Sequence, residues 1–201
     1  MGVGIFVRKE VLMKIVEERI RSCRACPLHE GRMNVVPGEG SLDSPLMFVG
    51  EGPGEEEDKT GRPFVGRAGQ MLTRLLKEVG IDREKVYITN VVKCRPPGNR
   101  VPTAQEMNAC SHFLMAQIQI VNPKVIVALG STALSFFLEK KVSITKMRGK
   151  VIEWIGGKLI FPTFHPSYLL RNRSTGPGSP YDLALQDMRR IKELYDEYKK
   201  V

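Results

Sequence analysis

The sequence predicts an α/β fold: three layers, α/β/α, around a central four-stranded parallel sheet. Three observations lead there. Four short apolar stretches, 46–50, 86–92, 125–130 and 158–164, read as strands buried on both faces. Helical patterns separate them, and that alternation builds parallel sheets. The chain has 201 residues, 42% hydrophobic and 26% charged, which fits one globular domain spanning 1–201.

In chain order, residues 8–22 form a helix with Leu12, Ile15 and Val16 on its apolar face. LMFVG at 46–50 is a strand that ends on a glycine. Across 66–79, Leu72, Leu75, Leu76 and Val79 keep a helical period, and Gly80 supplies the stop. VYITNVV at 86–92 is the second strand. Thr103 caps the next helix, with Glu106 three residues on completing a capping box, and that helix runs to about Val121. VIVALG at 125–130 is the third strand, followed by a short helix from Ser131. KLIFPTF at 158–164 is the fourth. An exposed loop at 172–182 leads into a last helix from about Asp182 to Lys199.

Composition narrows the function classes. Lys plus Arg number 31 against 22 Asp plus Glu, a net charge of +9, which favours a polyanionic partner but is equally met by a basic surface that binds nothing. The longest apolar runs fall far short of a bilayer span. MGVGIFVRKE lacks the basic start of a secretory signal, so an intracellular, cytoplasmic protein is expected. In that compartment the four cysteines, Cys23, Cys26, Cys94 and Cys110, favour a metal site over disulfides.

In open parallel sheets, ligands bind beyond the carboxyl ends of the strands. Three unusual segments follow strand ends here. GEGPGEEED at 50–58 offers close backbone approach through Gly50, Gly52 and Gly54, but it matches no phosphate-binding motif and its five acids would repel pyrophosphate. A solvated acidic turn is its plainer reading, but clustered glycines beside carboxylates after a buried strand favour a functional loop. NVVKCRPPGN carries Asn90, which also reads as an ordinary turn residue. FHPSYLLR places His165 directly after a strand that Pro166 stops from continuing, whereas His29 and His112 read as merely packed. Cys23-x-x-Cys26 with Cys94 and Cys110 makes a four-thiolate set, and spacing alone leaves zinc and iron–sulfur both open.

Taken together, GEGPGEEED, TNVVKCRPPGN at 89–99, HPSYLL and the four cysteines resemble the family 4 uracil-DNA glycosylases, iron–sulfur enzymes of thermophilic bacteria and archaea. The resemblance runs from about Cys23 to Leu170. It implies a monofunctional hydrolase of base excision repair that flips uracil from DNA, cuts its N-glycosidic bond and leaves an abasic site. It also implies that the four cysteines ligate a structural [4Fe–4S] cluster, and that Gly50, Glu51, Gly52, Phe64, Asn90 and His165 bind uracil.

Chemistry gives each implied residue a role. Flipping exposes the base, and Phe64 offers a face to stack on, although a core phenylalanine is its plainer reading. The Asn90 amide accepts from the ring N–H and donates to the 4-carbonyl, a pattern that cytosine inverts. His165, as a neutral donor to the 2-carbonyl, stabilises the departing anion. Glu51 holds the place of the catalytic acid group, acting through its side chain or its backbone. A wall against the thymine methyl falls to Glu57 or Glu51, with Glu57 preferred. Leu169 matches the position of an apolar wedge, and Arg171 and Arg173 are candidates for phosphate contact.

The expected partner is uracil-containing DNA, single- or double-stranded, acted on by a monomer associated with the nucleoid, with a sliding clamp the one protein contact left open. Two other readings remain at this level: a metal-stapled nucleic-acid-binding module without catalysis, and a glycosylase of broader base specificity.

Overall fold

The structure, a computed structural model, describes residues 8–172 and 174–199. The N-terminal residues 1–7, read above as lacking a secretory signal, and Arg173 lie outside these residues. Helices α1 (Lys9–Ser22) and α2 (Leu28–Gly31) precede strands β1 (Glu39–Gly40) and β2 (Leu46–Gly50). Then come α3 (Glu55–Thr60), α4 (Arg67–Glu78), β3 (Tyr87–Asn90), α5 (Ala104–Val121), β4 (Val125–Leu129) and α6 (Gly130–Leu138). The chain continues through α7 (Ile144–Met147), β5 (Ile152–Trp154), β6 (Lys158–Thr163), α8 (Pro166–Arg171) and α9 (Pro180–Tyr198).

The sheet order is β1-β3-β2-β4-β6-β5. The four predicted strands are its parallel centre, in register from Gly50 opposite Asn90 to Leu129 opposite Thr163. Two short antiparallel strands at the edges extend it to six. Alternation along the buried strands divides the core. Met47, Val49, Ile126 and Ala128 pack under α1, α5 and α6. Leu46, Phe48, Val125 and Val127 pack under α4 and α9 on the opposite face. The three-layer architecture is therefore as expected.

Two expectations, and one plainer alternative, need correction. In α1 the apolar face is turned: Met13 and Ile20 are buried with Val16 packed beside them, while Leu12 and Ile15 are exposed. The 13–16–20 spacing is the stripe that meets α5, and it outweighs the more hydrophobic 12–15 pair. Residues 55–58 are helix rather than acidic turn, because Lys59 pairs with Glu55 and Glu56 and the next two acids serve as braces. Leu169 is 2% exposed, held in the core on the inner face of α8, so this conformation offers no wedge at that position.

Chain direction across the sheet fixes where a ligand can sit. From β2 the chain moves outward to β3, then crosses back to place β4 on the other side of β2. The loops after β2 and β4 therefore diverge and leave a crevice at their carboxyl ends.

Candidate active site

That crevice opens into a cavity of about 790 Å3, bounded by Glu51, Phe64, Asn90, Thr132, His165 and Arg171 among others. The three unusual sequence segments meet here, as their places after strand ends require.

Gly50 and Asn90 face each other across the β2–β3 pair. A Cβ at Gly50 would stand 2.5 Å from both Asn90 Oδ1 and Phe64 Cζ, so only glycine lets these three residues close up. Gly52 likewise leaves no room, with Val92 Cγ2 2.8 Å from its would-be Cβ. Asn90 is 1% exposed, and its Oδ1 is the sole buried side-chain polar atom without a partner among the described residues. Native interiors satisfy nearly all such groups, so this orphan in a cavity wall marks where a hydrogen-bond donor, from water or a ligand, fits.

Phe64 holds a left-handed φ of 51°, a strained setting for an aromatic residue. Its surroundings enforce it. The Glu57 carboxylate accepts from the N–H groups of Gly54, Val65 and Gly66 at 3.1, 2.9 and 2.8 Å, fixing the turn on either side of the ring. Asp58 braces the preceding loop by accepting from Met33 N–H at 3.0 Å. Thus Glu57 is a rigid part of the cavity wall, its oxygens turned to the backbone.

His165 caps α8. The Ser167 N–H donates to its Nδ1 at 3.2 Å and the Ser167 hydroxyl lies 2.8 Å away. An Nδ1 that accepts leaves the ring proton on Nε2. Burial, aided by the Arg171 charge, lowers the His165 pKa to about 4, so the ring is neutral at pH 7. Its centroid lies 5.9 Å from that of Phe64. Gly130, at φ +90°, makes the space, since a Cβ there would stand 2.9 Å from His165 Cβ.

Glu51 follows β2 and accepts from Thr132 Oγ1 at 2.5 Å, joining the two diverging loops. Thr132, Ser167 and Gly130 were not singled out from sequence. They lie in plain helical and strand-end patterns, and only the crossover brings them to the cavity. Arg171 is exposed at the mouth.

On the other side of β3, the four cysteines line one small cavity with Arg32 and Lys93. Cys94 and Cys110 are buried; burial pushes the Cys110 thiol up to about 11, against the pull of the Lys93 charge and N–H. Arg32 Nη1 donates to Cys94 Sγ at 3.2 Å. Among the described residues, no three His, Cys, Asp or Glu side chains are grouped to hold a single metal ion.

A loop crevice at the carboxyl ends of a parallel sheet is a ligand site of open α/β folds, and sequence comparison supplies the family. The uracil DNA glycosylase superfamily model matches residues 37–189, and the chain belongs to that superfamily. Within it, the type-4 branch is the one it joins. A Thermotoga maritima protein named type-4 uracil-DNA glycosylase is 71% identical over 187 residues, covering 92% of this chain and 96% of that protein. Proteins with the same name from Sulfurisphaera tokodaii and Saccharolobus solfataricus are 46% and 44% identical. They cover 89% and 90% of this chain, and 83% and 85% of their own lengths.

Proposed function

We propose that the cavity receives uracil flipped out of DNA and that its walls drive hydrolysis of the N-glycosidic bond. The enzyme removes uracil from DNA for repair. The observation that carries the residue-level reading is the orphaned Asn90 Oδ1 beside Phe64. Uracil's N3–H is the donor it lacks, and Phe64 gives the ring a stacking face.

Bond breaking sends the electron pair of the N1–C1′ bond onto uracil and leaves positive charge on the sugar. His165 donates Nε2–H to the 2-carbonyl, where negative charge grows. Being neutral, it does so without having to lose a charge or gain a proton. Glu51, pinned by Thr132, faces the sugar side, orients water and offsets the cation. The water oxygen bonds to C1′ as Glu51 accepts one of its protons; that proton passes on to the departing uracil anion, and neutral uracil and an abasic site result. Gly50 and Gly52 let the backbone approach the base. Glu57, locked by three amides, forms the wall against a thymine methyl, and Arg171 meets a phosphate.

The four cysteines would hold a [4Fe–4S] cluster. Four cysteine thiols around one small cavity are a donor set for a cluster or for a structural zinc, and the family resemblance favours the cluster. When bound, the cluster supplies a structural cross-link between the end of α1, the segment after β3 and α5. The reading extends to monomeric action in the nucleoid on single- or double-stranded uracil-containing DNA, with a sliding clamp as the candidate protein contact.

The test is an oligonucleotide panel carrying uracil, thymine, cytosine, hypoxanthine or xanthine. The protein should leave abasic sites at uracil, and Asn90→Ala should cut that rate about 100-fold or more while remaining folded. The active preparation should be brown. Intact uracil DNA, or an Asn90→Ala rate equal to wild type, would overturn the reading; a colourless zinc protein would overturn the cluster.

A further inference from the structure

Lys93 is an anomaly that the mechanism above does not use. It is 1% exposed, and lysine is almost never so buried without an acidic partner. Among the described residues it forms no ion pair. Instead its ammonium spends all three N–H bonds on neutral acceptors: Thr89 Oγ1 at 2.6 Å, the Asn90 main-chain oxygen at 2.7 Å and Gln117 Oε1 at 2.7 Å.

The acceptors say what the charge is for. Two belong to the last residues of β3, the strand end that presents the uracil-reading amide. The third comes from α5, and Gln117 is itself fixed, its Nε2 donating to Pro37 O at 2.8 Å and to the Tyr87 hydroxyl at 3.2 Å. Thr89 Oγ1 also donates to Pro37 O, at 2.7 Å. The network thus anchors the main chain at 89–90 to α5 and to the segment before β1. Asn90 Oδ1, by contrast, has no hydrogen bond. Its position is inherited from its main chain and from the contact with Gly50 and Phe64.

We propose that Lys93 is a positioning residue for uracil recognition: its buried ammonium holds the Asn90 carbonyl, and so aims the side-chain amide at the base. The inference rests on the reading that Asn90 binds uracil. A charge-assisted bond is stronger than a neutral one, and in a dry interior it resists the local shifts that would blur discrimination between bases.

The test compares full-length wild type, Lys93→Met, Thr89→Val and Asn90→Ala by two readouts: inhibition by free uracil and affinity for abasic-site DNA. Lys93→Met should weaken inhibition by uracil about tenfold and leave abasic-DNA affinity within about twofold, since only the base pocket loses its alignment. General destabilisation would move both together. Thr89→Val keeps the ammonium but removes one partner, so it should shift inhibition in the same direction by about threefold, and it carries the test if Lys93→Met does not fold. Wild-type inhibition in Thr89→Val and in any folded Lys93→Met, with weakened inhibition in Asn90→Ala, overturns this role for Lys93. Wild-type inhibition in Asn90→Ala overturns the underlying assignment of Asn90.

Discussion

At the scale of single residues, the site depends on protonation states that neighbours impose. His165 is neutral because its place in the cavity wall disfavours the imidazolium, with the Arg171 charge adding to the effect. Its folded pKa of about 4 lies below the ordinary 6.5. Between those values the unfolded chain binds more protons, so stability rises with pH across that window. The contribution of the neutral ring is full above about pH 6.5, is on the order of 3 kcal/mol, and is lost as pH falls toward 4. Denaturant melts at pH 7 and pH 4.5 should show that loss in wild type and a smaller one in His165→Gln. At pH 7, His165→Ala should lower single-turnover excision about 100- to 1,000-fold, the range for losing one donor to a developing anion. His165 and Asn90 were legible in the sequence because they sit next to strand ends in odd company. The Ser167 contact that sets the tautomer, and the partnerless state of Asn90 Oδ1, depend on distances that no pattern of residue types encodes.

Among the elements, the join between α3 and α4 does most to shape the pocket. Phe64 keeps its left-handed backbone because the Glu57 carboxylate ties both sides of the turn and because α4 packs directly on it. Gly69 allows that packing: a Cβ there would fall 1.9 Å from the Phe64 carbonyl carbon and oxygen. Gly69→Ala should therefore push the Phe64 segment outward, destabilising the fold by about 1–3 kcal/mol and lowering excision more than stability alone accounts for. Thermal melts and excision rates on one preparation check both. The sequence indicated α4 clearly, from its leucine period. It did not indicate α3, because EEED looks like a solvated turn until Glu57 and Asp58 are seen capping backbone amides in other segments. Leu169 shows the same limit. A motif position matched to a wedge turns out to be the inner face of a helix, since α8 must bury one side against the core.

For the molecule as a whole, strand order explains why distant segments converge. Continuous apolar strands made the parallel centre readable, down to the register-bearing Gly50 and Asn90. The edge strands went unread because two and three residues, Glu39–Gly40 and Ile152–Trp154, are too short to carry a period. The crossover that puts β4 beside β2 was not readable either, yet it brings Thr132 to Glu51 and leaves the crevice for a base. One consequence spans all three segments at once: a single flat ring should satisfy Asn90, His165 and Phe64 together. The most direct measurement is a crystal structure of the protein with free uracil. Asn90 Oδ1 should lie about 2.9 Å from N3 and His165 Nε2 at a similar distance from O2, with Phe64 stacked on the ring. Uracil bound elsewhere, or bound here with Asn90 Oδ1 still lacking a partner, would contradict the account.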